Sequence, residues 1–235
     1  MVYKRLAKII NEINNILLPP VCFGCNARLS GGENVLCTVC RHDLPLTDYN
    51  FKEENSVDRL FYGRSKVKKG AAFLYFSKQG VTKNLLHFLK YRNQKKIGSH
   101  FGAWFGAQIK ENGNNPFDLV VPVPIHPKKL RKRGYNQVTP FAKQLAHELD
   151  IPFSENVLKK TKNIRSQTKK DRELRWQNSQ DAFTLGEKPD VLPKHILLVD
   201  DVITTGATIE ACVQALQTLK GVNVSVASLA VVPKG

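Results

Sequence analysis

Two adjacent acids, Asp200 and Asp201, close an aliphatic run and are followed almost at once by Thr204, Thr205, Gly206, Ala207 and Thr208. The run Ile196–Val199 reads as a strand buried on both faces. The acids then sit at its carboxyl end, where open α/β sheets take their ligands. The short residues after them turn into a helix whose free backbone N–H groups and positive end favour a phosphate. Small side chains let the phosphate approach, and the threonine hydroxyls add donors. Two neighbouring carboxylates can accept from two vicinal hydroxyls, such as those of a ribose. Strand, acid pair and cradle together spell ribose 5-phosphate. The plainer alternative, Asp and Thr as ordinary helix caps, does not require two acids in a row. The nucleotide loop G-x-x-x-x-G-K-[ST] is absent.

A second chemistry lies near the N-terminus. Cys22, Cys25, Cys37 and Cys40 follow the pattern C-x2-C-x11-C-x2-C. Each C-x-x-C is a tight knuckle that places two thiolates on one side of a turn, and two knuckles supply a tetrahedral zinc. With four sulfur ligands no position stays open for water, so the expected role is structural. Gly24 is expected to give the first knuckle a positive φ. Two disulfides would need an oxidising compartment, and no signal peptide is apparent. The fifth cysteine, Cys212, reads as a small buried hydrophobe.

A third feature is charge. The 235 residues hold 36 Lys and Arg against 20 Asp and Glu, a formal net charge of +16. Between His126 and Arg175 there are fourteen basic and five acidic residues, so fifty residues carry nine of those charges. Such a field gathers polyanions, nucleic acid first and phosphorylated metabolites second. In VPVPIHPKKLRKRGYNQ, residues 121–137, Lys128, Arg131, Lys132 and Arg133 could reach a diphosphate or the backbone of a nucleic acid. Tyr135 could stack on a base, and Asn136 and Gln137 beside it are likewise candidate contacts to a diphosphate or DNA. A second cluster at 159–178 holds Arg165, Gln167, Arg172 and Trp176, with Arg165 and Arg172 as candidate contacts to a diphosphate or DNA. A solvated charged face is the alternative for any single lysine here.

The elements that must carry these groups read as an α/β fold. Strands are expected at 71–76, 118–124, 157–161, 196–199 and in the closing NVSVASLAVVP. Helices are expected at 80–92, 100–110, 138–149 and 207–220. Alternation of this kind implies βαβ units and a parallel sheet. The expected layout is an amphipathic helix at 1–20, ended by Pro19-Pro20, a zinc module at 21–50, a polar connector at 51–70 and the main domain at 71–235. No run of about 18 or more apolar residues exists, so stable membrane insertion is not expected and the chain reads as cytoplasmic.

The stretch ILLVDDVITTGAT resembles the phosphoribosyl-pyrophosphate (PRPP) signature of type I phosphoribosyltransferases. That resemblance implies a parallel sheet flanked by helices. It puts Asp200 and Asp201 on the ribose hydroxyls and Thr204–Thr208 on the 5-phosphate, with magnesium accompanying the pyrophosphate. The 159–178 cluster resembles the mobile loop that closes over PRPP in such enzymes. Three features in one order, the four-cysteine module, V-P-V-P-x-H-P-x-x-L-R-x-R-G-Y-N-Q and the C-terminal PRPP loop, resemble the ComF (ComFC) family of competence proteins. LKYR at 89–92 is also similar. The family implies passage of single-stranded DNA into the cytoplasm during natural transformation, beside a helicase partner at the inner face of the membrane. Other readings stay open: an active, magnesium-dependent phosphoribosyltransferase with a nitrogen acceptor, and a PRPP-sensing regulator. No segment reads as a hood that would select a nucleobase.

Overall fold

The computed structural model describes residues 19–113, 115–161, 182–189 and 191–233. Residues 1–18 of the expected N-terminal helix and residues 162–178 of the second basic cluster, with Arg165, Gln167, Arg172 and Trp176, lie outside the described residues.

The aliphatic run before the acids becomes a central strand. We number strands and helices in chain order, so this one is β5, His195–Ile203. It pairs in parallel with β2 (Leu119–Pro122), Val120 opposite Leu197, and with β6 (Asn223–Val231), Val199 opposite Ala227. Beyond β6 lies β1 (Val67–Tyr75), giving the parallel order β1-β6-β5-β2. Parallel strands are joined by crossovers that cover both faces, which is why Ile196, Leu197, Leu198 and Val199 are all fully buried.

One face packs Leu197, Val199 and Leu229 against α3 (Val81–Tyr91), α4 (Lys95–Glu111) and α6 (Thr139–Leu149). Helices α4 and α6 approach closely because glycines recur at 98, 102 and 106. A Cβ at Gly102 would lie 2.5 Å from the Phe141 carbonyl oxygen. The other face packs Ile196, Leu198, Val224 and Val226 against α7 (Ala207–Leu216), α2 (Ser56–Phe61) and the antiparallel pair β3 (Leu158–Lys160) and β4 (Phe183–Leu185). Cys212 is fully buried there, as expected of a small hydrophobe.

Both outer edges of the sheet are covered. Along β1, the Thr47 N–H donates to Phe73 O (3.2 Å) and the Tyr75 N–H to Pro45 O (2.8 Å). Along β2, the Val120 N–H donates to Pro152 O (2.9 Å) and the Ser154 N–H to Val120 O (3.0 Å).

The segment expected as a polar connector is structured. Asn55 caps α2 in a reciprocal box with Asp58; the Asn55 amide donates to Gly70 O (2.8 Å), and the Gly70 N–H donates to Asp58 (2.7 Å). Both polar residues are buried. Their polarity serves the interior, satisfying backbone groups where β1 shifts register between Val67 and Gly70. That pairing also starts β1 at Val67, four residues before the expected start.

Candidate functional site

Strand β5 delivers Asp200 and Asp201 to its carboxyl end, and both are buried at 8% exposure. They are attended from opposite faces of the sheet. Asp201 Oδ2 receives Lys90 Nζ of α3 at 3.0 Å and Gln137 Nε2 at 3.1 Å. Asp200 Oδ1 accepts from the Asp201 backbone N–H at 2.8 Å. Burial pushes the Asp200 carboxyl up to about 7, and the neighbouring Asp201 charge pushes the same way; Lys90 and Lys160 pull it down. Lys160, on β3, is itself lowered by burial.

The turn after the acids is a cradle. Thr204, Thr205, Ala207 and Thr208 are exposed, while Gly206 is buried with φ 82°. A Cβ on Gly206 would meet Phe61 Cε1 at 2.8 Å, so a side chain is excluded by both backbone and packing. Gly206 caps α7 with no side-chain hydrogen bond. The capping alternative raised by the sequence is thus not what this turn does, and no capping side chain competes for the first-turn N–H groups. Arg64 buttresses the turn from below: Nη1 donates to Thr205 O (3.2 Å), and Nη2 pairs with Glu210 (2.7 Å).

The basic stretch reaches the same edge because β2 lies beside β5. It enters the short helix α5 (Pro127–Arg133), which Gly134 ends with φ 77°. Lys128 and Arg131 are exposed, and α5 buries none of its residues. Arg133 Nη1 donates to Gln137 Oε1 at 2.7 Å and lies over the Tyr91 ring at 5.4 Å. Asn136 donates to Val123 O (3.0 Å), folding the turn back on β2. Tyr135 differs from its expected role as a stacking platform. It is buried at 7% exposure, its hydroxyl donates to Leu89 O, and Lys95 stands over its ring at 5.1 Å. A ring clamped this way ties the turn to α3 and offers no open face to a base.

The four expected cysteine ligands converge, with all four sulfurs within 4.8 Å of one another. Backbone N–H groups point at them: Gly24 and Cys37 to Cys22 Sγ (3.3 Å each), Ala27 to Cys25 Sγ (3.5 Å) and Cys40 to Cys37 Sγ (3.4 Å). Burial alone would raise the Cys22 thiol, but its backbone hydrogen bonds, the Cys37 N–H foremost, bring it down to about 7. Short α1 (Thr38–His42) begins between the second pair of cysteines. The donor set fits a tetrahedral zinc and closes it to other ligands. Gly24 is needed for a reason other than the one expected: the positive φ falls on Asn26, at 63°, while a Cβ on Gly24 would lie 2.8 Å from Cys40 Sγ. The module docks on α3 and α4. Asn84 of α3 donates to Gly24 O (2.6 Å), Phe23 packs on Phe88 (5.0 Å), and Arg41 stacks on Trp104 (5.0 Å).

Lys90, Arg64 and Lys160 were not assigned by sequence spacing. Arg64 meets Thr205 across 141 residues of chain.

A strand, an acid pair and an uncapped helix start at the sheet's carboxyl edge now stand together, and the family comparison coincides with them: residues 138–235 match the phosphoribosyl transferase domain. This stretch is a phosphoribosyl transferase domain. Competence protein F of Haemophilus influenzae is 35% identical over 114 residues, covering 48% of this chain and 50% of that protein. The DNA utilization protein YhgH of Salmonella typhimurium is 29% identical over 136 residues, 56% of this chain and 59% of that protein. Competence protein ComFC of Bacillus subtilis is 24% identical over 212 residues, 90% of this chain and 83% of that protein. The matched region thus spans about half the length of the first two relatives. The chain is a homologue of proteins named for competence and DNA utilization, as the sequence resemblance implied. Among the described residues no helix is long and apolar enough to cross a membrane.

Proposed function

We propose that this chain binds PRPP at the carboxyl edge of its sheet and serves the handling of single-stranded DNA in natural transformation. The observation that carries the first half is the acid pair near the end of β5 followed by a turn into a helix start without a capping side chain, with Gly206 left-handed at that start. In this reading Asp200 and Asp201 accept the ribose hydroxyls. The N–H groups and hydroxyls of Thr204–Thr208 hold the 5-phosphate, at the positive end of α7. Magnesium, when bound with the ligand, neutralises the diphosphate. Zinc held by Cys22, Cys25, Cys37 and Cys40 keeps the module folded against α3 and α4.

The DNA half rests on the names of the homologues and on the exposed cations of α5, Lys128 and Arg131 among them. Phosphate contacts from such residues release counterions. The protein would act in the cytoplasm, met at the membrane by a helicase partner.

The test is calorimetry with PRPP and magnesium, repeated with single-stranded DNA present. Wild type should bind PRPP, and Asp200→Ala with Asp201→Ala should not, while retaining zinc and a cooperative melt. DNA affinity should fall steeply with salt. Replacing Lys128 and Arg131 by Ala should cut the log–log salt slope by about 1.4, since each single-strand phosphate contact contributes about 0.7. A DNA interaction that ignores salt would refute the second half and leave the first standing.

A further inference from the structure

Five residues from three parts of the chain form a closed circuit beside the acid pair. Lys90 Nζ lies 3.0 Å from Asp201 Oδ2, and Gln137 Nε2 donates to the same oxygen at 3.1 Å. Gln137 Oε1 accepts from Arg133 at 2.7 Å, and the Arg133 guanidinium lies over Tyr91 at 5.4 Å. Tyr91 is joined to Lys90 by a peptide bond, so the circuit returns to its start at the carboxyl end of α3. Both bonds to Asp201 fall on Oδ2. The carboxylate is therefore held by one oxygen, and neither bond occupies the other, Oδ1.

We propose that Lys90 is a positioning residue of the sugar site: from α3 it holds Asp201 by Oδ2, so that Oδ1 accepts a ribose hydroxyl. This rests on the sugar-phosphate reading of the site given above. Two carboxylates buried side by side repel each other, and one cation at contact distance relieves that repulsion. The partners leave little room for a loose surface pair, for the Asp201 and Lys90 side chains are only 11% and 26% exposed. Lys90 also lowers the neighbouring Asp200 carboxyl, against the burial that raises it. The lysine therefore sets where one acid points and how readily the other ionises. It acts through the acids: its contact is with Asp201, and among the described residues it has none with Thr204–Thr208.

The assay is calorimetry on the full, zinc-loaded chain with three probes: ribose 5-phosphate, PRPP with magnesium, and inorganic phosphate. Wild type is compared with Lys90→Met and Lys90→Arg from pH 6 to 9. Losing a charged hydrogen-bond partner of a buried acid should weaken ribose 5-phosphate and PRPP by one common factor, roughly 10- to 100-fold. Inorganic phosphate should bind all three proteins alike. Ribose 5-phosphate affinity should rise with pH through the Asp200 midpoint near 7, and Lys90→Met should move that midpoint upward. Lys90→Arg keeps the charge and should restore most of the affinity, which a merely structural lysine would not predict. Should Lys90→Met fail to melt cooperatively, the same measurements on Lys90→Gln decide.

A loss confined to PRPP would place Lys90 on the diphosphate and overturn the proposal. An equal loss for inorganic phosphate would assign it to the cradle and do the same. Unchanged affinities and an unchanged pH midpoint would also refute it. If wild type bound none of the sugar phosphates, the underlying reading would fall, and that result is distinct from all the others.

Discussion

The cysteine cluster and the acid pair both gather potential negative charge into a small volume, and they handle it in opposite ways. At the four-cysteine cluster the sulfurs of Cys22, Cys25 and Cys37 are met by backbone N–H groups, which polarise thiolates but do not neutralise them. At Asp200 and Asp201 the chain supplies its own cation, Lys90 at 3.0 Å. In the function proposed above, one site would be completed by an ion from outside, whereas the other is preorganised by the fold. The module should therefore depend on its metal, and the sugar site should persist without a ligand.

The largest test of that contrast is Cys40→Ala. Zinc content measured by mass spectrometry should fall to zero. The melting temperature should drop by roughly 10 °C or more, because metal binding energy is folding energy here. Limited proteolysis should then cut first in the module, with the sheet surviving longer.

Gly206→Val strikes the preorganised site. A β-branched residue at φ 82°, facing Phe61, should cost about 2–3 kcal/mol in a urea melt and abolish sugar-phosphate binding. Zinc content should not change.

Asp200→Asn separates the two kinds of charge by pH. The folded carboxyl titrates near 7 against an ordinary 3.8. Its neutral form is the stabilised one, so stability is fully present below the unfolded value and is lost as pH rises through about 7. The asparagine variant should match wild type near pH 4 and exceed it above pH 7, by an amount on the order of 2–4 kcal/mol. Equal melting curves at pH 8 would show that the acid pair is not strained.

The smallest effect is expected at Arg64→Ala. Its pair with Glu210 is partly exposed and should contribute under about 1 kcal/mol. Losing the bond to Thr205 O should weaken ribose 5-phosphate a few-fold, read by calorimetry.

Where the sequence was legible, a periodic or paired signal lay within one element. The run before Asp200 announced β5, the knuckle spacing announced the sulfur cluster, and the leucines of 80–92 announced α3. The partners of those elements were less legible. Lys90, Arg64 and Gln137 reach the acids or the cradle only after the chain has folded, and no spacing in sequence records a contact between α3 and β5. Tyr135 shows the converse problem: an aromatic among basic residues suggests an open stacking face, whereas its hydroxyl found a carbonyl on α3. Asn55 and Asp58 fall in the stretch expected as a polar connector and are buried in a cap, because buried backbone groups need polar partners.

The covered edges of the sheet carry a consequence for association. At β1 the neighbours are residues 45–47, and at β2 they are Pro152–Ser154. Among the described residues these contacts occupy the carboxyl end of β1 and the middle of β2, so a partner cannot join there by extending the sheet as an extra strand. A partner approaching either of these covered stretches meets side chains and loops.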